Sequence, residues 1–203
     1  MTCSTSWRSA SWGRKAGLSD AAAAPAVLAD TRRWLERAVI GLNLCPFAKA
    51  VAVKDQVHFA ASEAHDLVGA LDAFAHELDD LLARPAAERD TTLLVLPHAP
   101  LDFLSFDAWA RKAERLVRKR GLEGVVQVAH FHPAFQFADA EADDITNFTN
   151  RAPYPILHLL REDSVARAVA AIQDAAAIYE ANQHTLRRLG PAGWAALGVG
   201  ASR

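Results

Sequence analysis

Long apolar runs are missing from this chain. None approaches the roughly 18 residues that a membrane-spanning helix needs, so no such helix is expected. Excess charge is missing too: 22 basic and 24 acidic residues leave a formal net charge of -2. No overall field therefore favours nucleic acid or an anionic membrane surface. Cysteine is scarce, with Cys3 and Cys45 alone. Cys3 lies in an expected tail, so no structural disulfide is expected, and two lone thiols cannot by themselves make a zinc site. This usage fits a reducing compartment. Neither G-x-G-x-x-G nor G-x-x-x-x-G-K occurs, which leaves nucleotide cofactors without support. No secretory hydrophobic core is present near the start, and the expected location is the cytoplasm.

What is present is enough apolar material for one sizeable core: 203 residues, 51% hydrophobic. Residues 1–19 carry three basic residues, no acids and many serines. That bias is shared by transit peptides, disordered tails and misassigned starts, and a disordered tail is expected. A single α/β domain is expected over 20–190, followed by a loose tail over 191–203.

Hydrophobic periodicity predicts a helix over 26–42, with Pro25 at its first turn and Trp34, Leu35, Ala38 and Val39 inward. A short strand is predicted at 56–60. The clearest helix spans 63–84, with Leu67, Leu71, Phe74, Leu78 and Leu81 in one stripe and Ser62 as N-cap. TTLLVL at 91–96 is apolar on both faces, as a covered central strand is. A helix over 106–120 closes at Gly121, and strands follow at 125–131 and 156–161. A long last helix is predicted over 164–189, ended by Gly190-Pro191. Alternation of this kind predicts an α/β fold of about four mainly parallel strands packed with four or more helices. The long connection before the last strand leaves that strand's direction open, parallel or antiparallel.

The most unusual stretch is HFHPAFQFADAEADDITNFTNRAPYPILHLLRE, residues 130–162. Positions 133–153 show neither helical nor strand period, and so long a loop inside a compact domain is more often functional than not. His98 follows the second strand in LPHAP, while His130 and His132 close the third. If those strands run parallel, the three imidazoles gather at their carboxyl ends, where open α/β sheets bind ligands. Two imidazoles on one strand face and a carboxylate such as Asp144 can hold a divalent metal. No compact ligand motif accompanies them, and metal and cofactor are both left unassigned.

Asn147, Asn150 and Arg151 form N-x-x-N-R before Pro153-Tyr154-Pro155. A guanidinium fork beside two amides suits a carboxylate or phosphate. The competing reading is a loop stapled by its own side chains. Cys45, in LNLCPFA, is either a buried inert thiol or a nucleophile assisted by His98, His130 or His132. His158 sits between Ile156 and Leu160 on one strand face and reads as a satisfied core or interface histidine.

TRRWLERAVIGLNLCPFAKAV, FHPAFQF and NFTNRAPYPILHLLRED together resemble the bacterial family grouped as domain of unknown function 1415, over about residues 26–189. The resemblance implies a soluble, one-domain bacterial protein, and it brings no activity, cofactor or catalytic residue with it.

Two functions follow as expectations. The first is an enzyme acting on a small acidic or phosphorylated metabolite. In it His132 serves as acid/base with Cys45 and His98 as further catalytic candidates, Arg151 clamps the anion, and Asn147, Asn150, Asp144 and His130 complete the binding set. The alternative is a non-catalytic small-ligand sensor or protein-interaction module that uses the 133–153 loop. Neither expectation includes nucleic acid or membrane as a partner, and the oligomeric state is left open.

Overall fold

A computed structural model describes residues 18–99, 102–170 and 176–202. The expected tail over 1–19 lies outside these residues except for Leu18 and Ser19, which open helix α1 (Leu18–Trp34). Pro25 consequently lies inside α1 rather than at its first turn. The chain then widens into a π-helix, Leu35–Ile40. There the Gly41 amide donates to Glu36 O at 2.9 Å and the Leu44 amide to Val39 O at 2.9 Å, both one residue beyond α spacing. Only glycine fits at 41, because a Cβ would lie 2.3 Å from Arg37 O.

After the turn at Cys45 comes a short helix, α2 (Ala48–Val53). It is followed by β1 (Val57–Ala61), α3 (Leu67–Ala83), β2 (Thr91–Val95), α4 (Phe103–Lys119) and β3 (Val126–Phe131). A 3-10 turn at Ile145–Thr149 precedes β4 (Ile156–Arg161), α5 (Glu162–Ala170) and α6 (Ala176–Ala196). The cap of α3 is Asp66, whose carboxylate accepts from the Val68 and Gly69 amides, not Ser62. Ser62 instead accepts from the Ala64 amide ahead of the helix.

The strand order is β1-β2-β4-β3. β1 and β2 pair in parallel, whereas β4 is antiparallel to both β2 and β3. The expectation of a mainly parallel sheet is therefore corrected. β1, β2 and β3 do share a direction, but β4 enters between β2 and β3 and turns two of the three ladders antiparallel. The long 133–153 connection returns the chain from the end of β3 to the same end of the sheet, where Ile156 starts β4 opposite Phe131.

Strand alternation divides the core. On one face Leu94, Leu96, Leu157, Leu159 and Val126 pack against the apolar stripes of α3 and α4, including Phe74, Leu78, Phe106 and Trp109. On the other face Leu93, Val95 and Ile156 meet Trp34, Leu35 and Val39 from the N-terminal helices.

The long last helix expected over 164–189 is helical where it is described, as α5 (Glu162–Ala170) and within α6 (Ala176–Ala196), and residues 171–175 of that expectation lie outside the described residues. Gly190, at φ 65°, breaks α6, yet helix resumes at Pro191. The tail after 190 was expected to be loose. Val199 is instead buried in the core, Arg33 Nε and Arg37 Nη1 donate to the Gly198 and Leu197 carbonyls, and Ser202 is bonded to Asp30.

Candidate functional site

Because β2 and β3 share a direction, His98, His130, His132 and the start of the 133–153 loop stand at the same end of the sheet. Their contacts are mostly structural. His98 stacks on His65, with ring centroids 4.6 Å apart. His130 Nε2 lies 3.2 Å from Asp107 Oδ1 but outside hydrogen-bond geometry. Burial lowers its pKa, against the opposing pull of Asp107. His132 is buried and packs beside Phe106 and Phe103, at 5.3 and 5.7 Å between centroids. Its Nδ1 accepts from the Ala134 amide at 3.1 Å, which places the proton of the neutral ring on Nε2.

The loop's polar residues hold the loop itself. Asn147 is fully buried; its Oδ1 accepts from the Phe137 amide at 3.0 Å and its Nδ2 donates to Glu141 O at 2.7 Å. Asp144 caps the 3-10 turn by accepting from the Thr146 amide at 2.8 Å. The Asn150 carbonyl accepts from the His132 amide at 3.2 Å. Arg151, proposed from sequence as an anion clamp, donates through Nε to Phe135 O at 3.0 Å and through Nη2 to Ala142 O at 2.7 Å. Its guanidinium also lies 4.5 Å over the Phe148 ring. These contacts are those of the stapled loop, the competing reading of the same residues.

Cys45 is not with these histidines. It packs among the residues of the opposite sheet face, whereas His130 and His132 touch Phe106 on the α4 side. The sheet therefore separates the thiol from His130 and His132, two of the three imidazoles proposed to activate it.

What Cys45 does line is a cavity of about 870 Å³. Its floor is built by alternate residues of three strands: Thr91 and Leu93, Ala129 and Phe131, His158 and Leu160. Trp34 at the end of α1 and Leu35 and Val39 of the π-helix close one side, α2 lies over it, and α5 contributes Val165 and Ala168. The walls are mostly apolar. At the rim, Asp90 accepts from Ser164, and the Ser164 oxygen accepts from Arg167 Nη2 at 2.9 Å, so these groups satisfy one another. Trp34 Nε1 donates to Arg151 O at 2.9 Å and ties this wall to the loop.

His158 is the polar centre of the floor. Its register partners are Leu93 on one side and Ala129 on the other. Its Nε2 lies 2.6 Å from Thr91 Oγ1, and that hydroxyl donates to Leu159 O at 2.7 Å. A hydroxyl has one proton, and a carbonyl can only accept. Nε2 must therefore carry the ring proton and donate it to Thr91, leaving the lone pair on Nδ1. Burial pushes the pKa of His158 down to about 4, so the ring is neutral at pH 7. The sequence reading treated His158 as a satisfied core histidine and did not single out Thr91. The available signal was Thr91 and His158 themselves, polar residues in the largely apolar segments TTLLVL and ILHLLR.

A smaller polar concavity of about 390 Å³ lies at Arg32, His58, Arg84 and Arg89. Its buried Arg89 is already paired with Glu77 and Asp80, and Arg84 also with Asp80, so it offers no excess of cation. Among the described residues, no group of three or more His, Cys, Asp or Glu side chains is placed to hold a metal ion. None of the described helices is long and apolar enough to cross a membrane.

Residues 26–196 match the family described as Protein of unknown function (DUF1415). The chain belongs to that family. The match spans both sheet faces, the cavity and the stapled loop, and it agrees with the resemblance seen in the three sequence segments. No curated protein and no solved structure matches the chain.

Proposed function

We propose that this protein binds a small, largely apolar molecule in the cavity between the sheet and the N-terminal helices. One observation carries the reading: about 870 Å³ of mostly apolar space on a sheet face, with a few polar groups in its floor. Small-molecule sites are typically concavities of roughly 300–1,000 Å³ with that composition. An apolar sheet face of this extent gains from being covered, and a ligand covers it without exposing the strands.

This reading falls within the sensor alternative rather than the enzyme on an acidic metabolite. The Arg151 fork meant for the anion is directed at two backbone carbonyls. Cys45 and His158 do line the same cavity. A thiolate–imidazolium pair there would need a charged His158, which burial opposes. Binding is therefore favoured over nucleophilic catalysis.

The test uses N-phenyl-1-naphthylamine, a neutral apolar dye that brightens in apolar surroundings. Saturable one-to-one binding is expected, together with slower alkylation of Cys45 as the dye binds. Ala129→Phe, which fills the floor beside His158, is expected to abolish both effects while the protein stays folded by circular dichroism. Absence of saturable binding, or binding indifferent to Ala129→Phe, would overturn the proposal.

A further inference from the structure

We infer that the cavity selects neutral molecules carrying a hydrogen-bond donor, such as a phenolic or alcoholic hydroxyl, which the donor places on His158 Nδ1. The inference rests on the cavity reading above and adds the chemical class of the ligand. Three observations carry it.

First, the tautomer is set by the protein. Thr91 gives its only proton to Leu159 O, so His158 Nε2 must donate to Thr91 and Nδ1 is an acceptor. Second, that acceptor is unused: Nδ1 has no hydrogen-bond partner among the described residues, and it is not fully buried. His158 stands in an inner strand, between β2 and β3, and lines the cavity. An accessible acceptor in apolar surroundings is the group whose desolvation a ligand must compensate. Third, its register partners Leu93 and Ala129 are apolar and offer it no side-chain donor.

At Nδ1 the same geometry decides against anions, and of the cations lining the cavity Arg161 and Arg167 already donate to Arg89 O and to Ser164 Oγ, which leaves Lys54. A carboxylate at Nδ1 would face a lone pair unless the ring took a second proton. The ring would then be charged in apolar surroundings, and burial holds its pKa far below neutrality. A ligand of the right shape without a donor would leave Nδ1 desolvated and unpaired. Sites built to hydrogen-bond a hydroxyl reject analogues that lack it for this reason.

Three probes of one shape separate the possibilities: 2-naphthol, 2-methoxynaphthalene and 2-naphthoate, titrated against the full chain at pH 7.5 by calorimetry. The expected order has 2-naphthol tightest, by roughly 3–10-fold over the methoxy compound, the range of one net neutral hydrogen bond, with naphthoate weakest. In His158→Leu the preference for naphthol over the methoxy compound is expected to vanish while both still bind. A readout free of any variant is the imidazole nitrogen spectrum: His158 should show a protonated Nε2 in the free protein, and its Nδ1 resonance should move with naphthol but not with the methoxy compound. Equal affinity for naphthol and its methyl ether, tightest binding of naphthoate, or an unmoved Nδ1 overturns the donor assignment and leaves the cavity reading standing. No binding by any of the three overturns both.

Discussion

Thr91 and His158, on adjacent antiparallel strands, are joined by a 2.6 Å hydrogen bond whose direction follows from the single proton on the threonine hydroxyl. Thr91 is buried, so neither of its hydrogen bonds is readily replaced by water. Thr91→Val keeps the shape and removes the hydroxyl, leaving the His158 N–H and the Leu159 acceptor without it. We expect a loss of about 1–3 kcal/mol in denaturant unfolding. Thr91→Ser keeps both bonds and should cost less than Thr91→Val. Equal losses for the two variants would show that the methyl group, not the hydroxyl, is what matters.

His158 also predicts how stability responds to acid. Its pKa is about 4 in the folded chain against an ordinary value of 6.5, because burial disfavours the charged ring. Between those values the unfolded chain binds the extra proton and the folded chain does not. Stability should therefore be fully present above about pH 6.5 and fall as pH drops from there towards 4. A depression of that size corresponds to about 3 kcal/mol. His58 and His130 are lowered in the same direction by burial and add to the slope. In His158→Leu, unfolding free energies measured from pH 7.5 to 4.5 should show a shallower slope, with the remainder set by the other two. An unchanged slope would mean that His158 is solvated in the folded state.

Arg151 should behave as a structural residue. Its Nε and Nη2 reach carbonyls at Phe135 and Ala142, which close the two ends of the loop segment between them. Lysine keeps the charge but cannot span two acceptors with a planar fork. Arg151→Lys is expected to lower stability by about 1–3 kcal/mol and to leave dye binding in the cavity intact once the protein is folded. A variant as stable as the parent would remove the staple and return Arg151 to the anion-clamp reading.

The strands were legible because their signal is local. TTLLVL and ILHLLR occupy the inner positions β2 and β4 because residues of both parities are apolar enough to be buried. Strand order was not legible, because where β4 enters the sheet depends on a 21-residue connection without period. The C-terminal order was missed for a different reason: Val199 and Ser202 act singly, through partners some 170 positions away. The candidate site shows the same limit. Histidines close in sequence drew attention to the sheet end, while the cavity assembles Cys45, Thr91, Phe131 and His158 from four separate segments. The loop residues were recognisable as important, but a side chain that staples a loop and one that grips a ligand have the same composition.

Asp30 and Ser202 provide the last test, because their contact ties the end of the described chain to α1. Asp30 is 1% exposed. Its Oδ2 accepts from the Ser202 amide at 2.6 Å and from Tyr154 Oη at 2.8 Å, and its Oδ1 accepts from Ser202 Oγ at 2.6 Å and from Arg33. Burial alone would raise its pKa, but the bonds from Ser202, Tyr154 and Arg33 outweigh that and hold it below the usual value. Tyr154 is correspondingly pushed up to about 12, chiefly by burial and then by its bond to Asp30. The carboxylate thus joins α1, the Pro-Tyr-Pro turn and the C-terminal strap. Asp30→Asn keeps the size but replaces one acceptor oxygen by a donor and removes the charge. It is expected to cost about 2–3 kcal/mol. Removing residues 202–203 deletes two of the four bonds and should cost about 1–2 kcal/mol. The two changes share a contact, so together they should cost less than their sum by more than the roughly 0.5 kcal/mol scatter of independent sites. Unfolding midpoints of the four proteins decide it, and strict additivity would show that the strap is held by Val199 packing rather than by Asp30.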